Sequence, residues 1–101
     1  MKIQVVAENF ELGERVLDII QDKLNEGLEK YLPSLDEDIK QAQVKIEKRT
    51  RWGYKVSFNM WLPRKEHIFA EETGEDLMTA IIKLREAVEK QLKKYLEEIK
   101  S

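Results

Sequence analysis

Residues 69–100, FAEETGEDLMTAIIKLREAVEKQLKKYLEEIK, decide how the rest of the chain is read. They hold the end of a strand, a capped turn and one long amphipathic helix. Leu77, Ile81, Leu84, Val88, Leu92, Tyr95 and Ile99 recur at steps of three and four. That spacing lines them along one stripe of an α-helix. Thr73, with Asp76 three residues on, resembles a capping box in which Asp replaces the usual Glu or Gln. Glu75 and Asp76 favour the positive end of the helix dipole, and Lys93, Lys94 and Lys100 favour the other. Such a stripe needs a sheet or another helix to cover it, and the remaining residues have to supply that surface.

They do so with short period-two segments. Lys2–Val6 alternates, with Ile3 and Val5 on one side. Ala42–Thr50 sets Ala42, Val44 and Ile46 against Gln43, Lys45, Glu47 and Arg49, and Tyr54–Leu62 sets Tyr54, Val56, Phe58, Met60 and Leu62 against Lys55, Ser57, Asn59 and Trp61. Each reads as a half-buried strand. Arg51-Trp52-Gly53 between the last two is of hairpin length, with Gly where a positive φ is needed. His67–Glu71 is a short fourth strand after a turn at Pro63–Glu66. A first helix is predicted over Glu14–Leu32, with Gly13 as N-cap and Leu17, Ile20, Leu24, Leu28 and Tyr31 on one face. Pro33 ends it and opens a polar loop to Asp38. Gly27 inside this helix costs about 1 kcal/mol relative to Ala, which implies a close approach by another element. The order is β-α-β-β-β-α. Each helix has a single apolar stripe, so both cover one face of one four-stranded sheet and leave the other face open. The expected fold is α+β, a single domain over residues 1–101.

Composition narrows the function. The 101 residues contain no Cys and one His, which excludes a disulfide framework and a Cys-ligated metal. No stretch has the length and apolarity of a signal peptide or a membrane span, so a cytoplasmic protein without membrane contact is expected. There is no Gly-rich phosphate loop and no plausible nucleophile–base pairing, so neither catalysis, cofactor nor small-molecule substrate is expected. Glu71, Glu72, Glu75 and Asp76 cluster at a helix N-terminus, where capping and dipole roles account for them. The formal net charge is only −2, but it is unevenly spread. Residues 8–38 carry ten acids and three Lys or Arg, whereas residues 39–70 carry eight Lys or Arg and two acids. A field with that direction steers a polyanion to one side.

The densest part of the basic segment is Lys48-Arg49-Thr50-Arg51-Trp52-Gly53-Tyr54-Lys55, at the hairpin tip and with no acid among its members. Lys48, Arg49, Arg51 and Lys55 suit phosphates, and Trp52 and Tyr54 suit stacking on unpaired bases. The same residues also suit a solvated hairpin whose charges oppose edge aggregation. Arg64 and Lys65 in the next turn extend the patch or are ordinary turn residues. On the long helix, Lys90 and Lys94 each fall ~20° from Lys83 about the axis. Lys23 and Lys30 make a similar row on the first helix. With the helices side by side, the two rows offer a basic strip to a phosphate backbone. Against this, Glu86–Lys90, Glu89–Lys93 and Lys94–Glu98 have the i,i+4 spacing of ordinary surface pairs. Trp61 points to the open sheet face, either as a contact for a partner or packed on a neighbour such as Phe69.

Several segments together resemble one family. A-E-E-T-G-E-D-L-M-T-A-I (Ala70–Ile81) is similar to the pattern A-x-x-x-x-x-D-M-Y-x-A-I of the ribosome hibernation promoting factors, also called the ribosome-associated inhibitor or sigma-54 modulation protein family. V-E-K-Q-L-K-K (Val88–Lys94) is similar to its L-x-R-Q-L-x-K, so Lys90 and Lys94 match basic positions. I-Q-V-V-A-E-N-F (Ile3–Phe10) and L-E-K-Y-L (Leu28–Leu32) fit as well. The chain departs from the family at Ala87, where Lys is common, and at Lys90, where Arg is common. The resemblance implies a fold like that of double-stranded RNA-binding domains. It further implies binding to rRNA in the decoding region of the small ribosomal subunit, over the messenger and transfer RNA sites, with translation blocked while the ribosome is stored. It also implies a short-form member that relies on a separate ribosome-dimerising factor if ribosomes are to pair. The alternative of a different class is a protein-interaction module that uses the open sheet face and Trp61 and binds no RNA.

Overall fold

The computed structural model describes residues 2–31, 41–49, 51–62 and 67–100. The elements run β1 (Lys2–Glu8), α1 (Glu14–Leu28), a 3₁₀ turn (Glu29–Tyr31), β2 (Gln41–Lys48), β3 (Tyr54–Trp61), β4 (His67–Gly74) and α2 (Leu77–Lys100). The strands form one sheet in sequence order, β1-β2-β3-β4. β1 and β2 are parallel and joined across α1, and the other two pairings are antiparallel. The β-α-β-β-β-α order and the α+β class expected from the sequence are both present.

Period-two patterning sets the sheet's two faces. Val44, Ile46, Val56, Phe58 and Met60 are fully buried under the helices. Ile20, Leu24 and Leu28 of α1 and Ile81, Leu84, Val88 and Leu92 of α2 meet them from above and are fully buried too. The opposite face carries Gln4, Gln43, Lys45, Asn59, Trp61, His67 and Phe69, and those seven are at least partly exposed. β4 is longer than its sequence suggests. It stays in register with β3 from Trp61↔His67 to Tyr54↔Gly74. Of the extra three residues only Thr73 favours a strand, and pairing with β3 holds Glu72 and Gly74 extended beside it.

That extension alters the start of α2. Thr73 lies within β4, and Asp76 is the cap instead. Its carboxylate accepts the Thr79 N–H at 2.9 Å and the Thr79 hydroxyl at 2.7 Å. The capping-box reading of Thr73 is therefore corrected, because strand pairing already claims that backbone. The first helix also closes earlier than predicted, α1 ending at Leu28 and tightening into the 3₁₀ turn. Gly13 does stand at its N-cap, with an extended backbone.

Gly27 is buried where the two helices meet. A Cβ there would collide with Glu89 Oε1 and lie 2.5 Å from Arg85 Cδ. This is the close approach that its mid-helix position implied. Arg85 donates to the Lys23 carbonyl at 3.1 Å and lies 3.9 Å from Glu26, while Lys30 lies 3.9 Å from Glu89. The contacts advance together along both helices, so α1 and α2 run in the same direction.

Candidate nucleic-acid interface

The β2–β3 hairpin closes between Arg49 and Gly53. The Arg49 N–H donates to the Gly53 carbonyl at 3.1 Å, and Gly53 sits at φ +79°. A side chain at Gly53 would be strained by that φ and would run into the Gly74 carbonyl. The loop is wider than the three residues predicted, because β2 ends at Lys48. Lys48, Arg49 and Arg51 are exposed, and Trp52 keeps 61% of its surface open. Tyr54 does not belong with them. Its ring packs edge-on against Phe10, centroids 5.7 Å apart, and joins the rim of the core. Lys55 turns to the open sheet face and lies 3.6 Å from Glu71. Across the hairpin, the Glu75 backbone lies beside Gly53, so an acidic residue absent from the linear segment stands near the tip. Thr50, Arg64 and Lys65 fall outside the described residues.

The lysines of the helices divide into two groups. Lys23 and Lys30 border the α1–α2 seam, where Lys23 lies 3.8 Å from Glu26 and Lys30 reaches Glu89. Lys83 is on the other flank of α2 and donates to the Thr73 carbonyl on the outer edge of β4, at 3.3 Å. Lys90 and Lys94 share that flank within ~20° of Lys83 about the helix axis, and both are exposed. The two rows thus lie on opposite sides of α2 and do not form one strip. Glu89 is taken by Lys30 across the seam rather than by Lys93 along the helix. Among the described residues, Lys48, Arg49, Arg51, Lys90 and Lys94 are the candidates with neither an ion pair nor a side-chain hydrogen bond, Lys83 being held by the Thr73 carbonyl alone. These free cations lie towards opposite ends of the molecule. Lys90 is 13 residues into α2 from the end beside the hairpin, about 20 Å along the axis at 1.5 Å per residue.

The fold and these basic surfaces set the terms for comparison with known proteins. Residues 3–100 match the family described as sigma 54 modulation protein / S30EA ribosomal protein. The chain belongs to that family. It is a family of ribosome-associated modulators, not of enzymes. Two solved structures share the fold. The N-terminal domain of Protein Y from Thermus thermophilus superposes with a TM-score of 0.77 at 22% identity, covering 94% of this chain and 99% of that one. A ribosomal subunit interface protein from Coxiella burnetii gives 0.78 at 23% identity, with 96% and 99% covered. No curated protein sequence matches.

Within this member of the sigma 54 modulation / S30EA family, two features were not foreseen from sequence. Arg85 organises the helix seam, and only the glycine opposite it hinted at a large neighbour. Gln91 grips the outer edge of β4: its amide donates to the Phe69 carbonyl at 2.6 Å, and its Oε1 accepts the Phe69 N–H at 3.3 Å. Trp61 is on the open face as expected, 64% exposed, but it stacks on His67 rather than on Phe69, centroids 4.0 Å apart and 13° from parallel. His67 is exposed and its Nε2 lies 2.9 Å from Asn59 Oδ1. No group of His, Asp and Glu among the described residues is arranged to hold a metal ion. No helix among them is long and apolar enough to cross a membrane.

Proposed function

We propose that this protein silences ribosomes by binding rRNA in the decoding region of the small subunit, covering the messenger and transfer RNA sites. The observation that carries the reading is the family match over residues 3–100. The name of the Coxiella relative, a ribosomal subunit interface protein, supports the same location. The unpaired cations give the reading a physical means. Lys48, Arg49 and Arg51 contact phosphates from the hairpin, and Trp52 stacks on an unpaired base. Lys90 and Lys94 hold the backbone of a second RNA segment. Lys23, Lys30, Lys55 and Lys83 have protein partners at 3.3–3.9 Å, and Tyr54 supports the hairpin from inside. They shape the surface more than they bind. Residues 1–101 act as one domain, and work on ribosomes sets the protein in the cytoplasm.

The test is the double variant Arg49→Glu/Arg51→Glu. Both side chains are exposed, so thermal stability should change little. Binding to purified small subunits should fall at least tenfold, and competition with transfer RNA should disappear. Unchanged binding would remove the hairpin from the interface. Binding that resists salt would favour the protein-interaction module instead, since an apolar interface releases few counterions.

A further inference from the structure

The aromatic corner of the open sheet face is separate from the hairpin. Trp61 and His67 are directly opposed across β3 and β4, and their rings form a parallel stack. The Phe69 ring continues the line at 6.3 Å from His67 and is 46% exposed. Three features hold this arrangement in place. The Asn59 side chain fixes the His67 ring through Nε2. The Gln91 amide fixes the backbone of Phe69 from the helix side. Strand pairing fixes the spacing of all three rings.

The surroundings discriminate between occupants. The cross-strand row beside the stack is Gln4, Gln43, Asn59 and Phe69. It presents amides, which both donate and accept hydrogen bonds, and no carboxylate. The acids of the open face, Glu8, Glu47 and Glu71, lie in the rows nearer the hairpin, and Glu8 and Glu71 are matched there by Lys45 at 3.1 Å and Lys55 at 3.6 Å. Round the edge of β4, next to Gln91, lie the free cations Lys90 and Lys94. A planar stack bordered by amides, whose neighbouring carboxylate on β4, Glu71, is matched by Lys55, and flanked by unpaired lysines is complementary to a nucleotide. A partner with a broad apolar face would find three rings and then amides that it cannot satisfy.

We infer that Trp61, backed by His67 and Phe69, is a stacking platform for an unpaired RNA base, and that Lys90 and Lys94 hold the phosphates of the same strand as it passes the β4 edge. The inference rests on the RNA-binding reading and adds a second, base-contacting site to it. Stacking of this kind accepts any base, because every base has a π-face.

The experiment uses the full chain, unstructured oligoadenylate, an abasic RNA of the same length, and small ribosomal subunits. Trp61→Ala should weaken oligoadenylate binding about tenfold while leaving abasic RNA binding and the salt slope unchanged. Trp61→Phe should recover most of the loss. Lys90→Gln/Lys94→Gln should weaken both RNAs and flatten the salt slope. Trp61 is largely exposed, and a thermal melt confirms that each variant is folded. The inference is overturned if Trp61→Ala binds oligoadenylate as the parent does while the parent binds in a salt-dependent manner; the RNA-binding reading then survives. It is also overturned if Trp61→Ala loses subunit affinity but no oligoadenylate affinity, which makes the corner a protein contact. If the parent chain binds neither RNA nor subunits, both readings fall together.

Discussion

Asp76 and Gly27 show how single residues set the geometry on which the interface depends. Asp76 stands at the turn from β4 into α2. The Thr79 N–H, and after it the Thr79 hydroxyl, hold the Asp76 carboxyl below its ordinary value. A carboxyl whose folded-state pKa is depressed stabilises the fold above its unfolded-state pKa, and that contribution is lost as pH falls through the folded-state value. The melting temperature of the parent should therefore fall with acidification in the carboxylate range, and Asp76→Ala should lower it at neutral pH and reduce that fall. Equal melting curves for the two proteins from neutral to acid pH would contradict the capping role. Gly27→Ala poses a contest between propensity and packing. Alanine gains about 1 kcal/mol as a helix former, but its Cβ displaces Arg85 and Glu89 from the seam, and overpacking of this kind costs about 1–3 kcal/mol. Since the contacts include the Arg85 stem rather than a free side-chain tip, a net loss is expected, read as a lower urea midpoint. A higher midpoint would mean that the seam yields readily.

At the scale of elements, α2 packs the core with one face and guards an edge of the sheet with another. Its stripe was legible because burial in a helix leaves a periodic mark. Leu84, Val88 and Leu92 are fully buried as that period requires. The strands were legible for the same reason, with period two. What could not be read was any contact between elements far apart in sequence. Glu89 has Lys93 four residues on, yet meets Lys30 across the seam. Lys83, part of a basic row by its helical angle, instead donates to the Thr73 carbonyl. The length of β4 was missed because its last residues are extended by pairing, not by propensity. Gln91→Ala removes the amide that satisfies Phe69 on the outer edge. A loss of roughly 0.5–1.5 kcal/mol is expected, together with more self-association at high concentration, because an exposed strand edge is a template for pairing. Sedimentation velocity across a concentration series measures the second effect. A variant that stays monomeric, with unchanged stability, would show that Gln91 does not protect the edge.

Over the whole molecule, a chain of net charge −2 is proposed to bind a polyanion, which requires that its cations be placed apart from its acids. The hairpin was visible in the sequence as an acid-free basic run. The proximity of Glu75 was not, since it comes from the turn that follows β4. Nor was it visible that the helical lysines flank α2 on opposite sides, because the direction in which α1 and α2 pack is a tertiary property. The central claim is that a few unpaired cations hold RNA, and its most direct test is co-sedimentation with purified small ribosomal subunits across a salt series. If Lys48, Arg49, Arg51, Lys90 and Lys94 all engage phosphates, the log–log slope of affinity against salt should lie between about −3 and −5. Binding should also saturate and compete with transfer RNA. A slope near zero, or no binding at the lowest salt, would contradict the account.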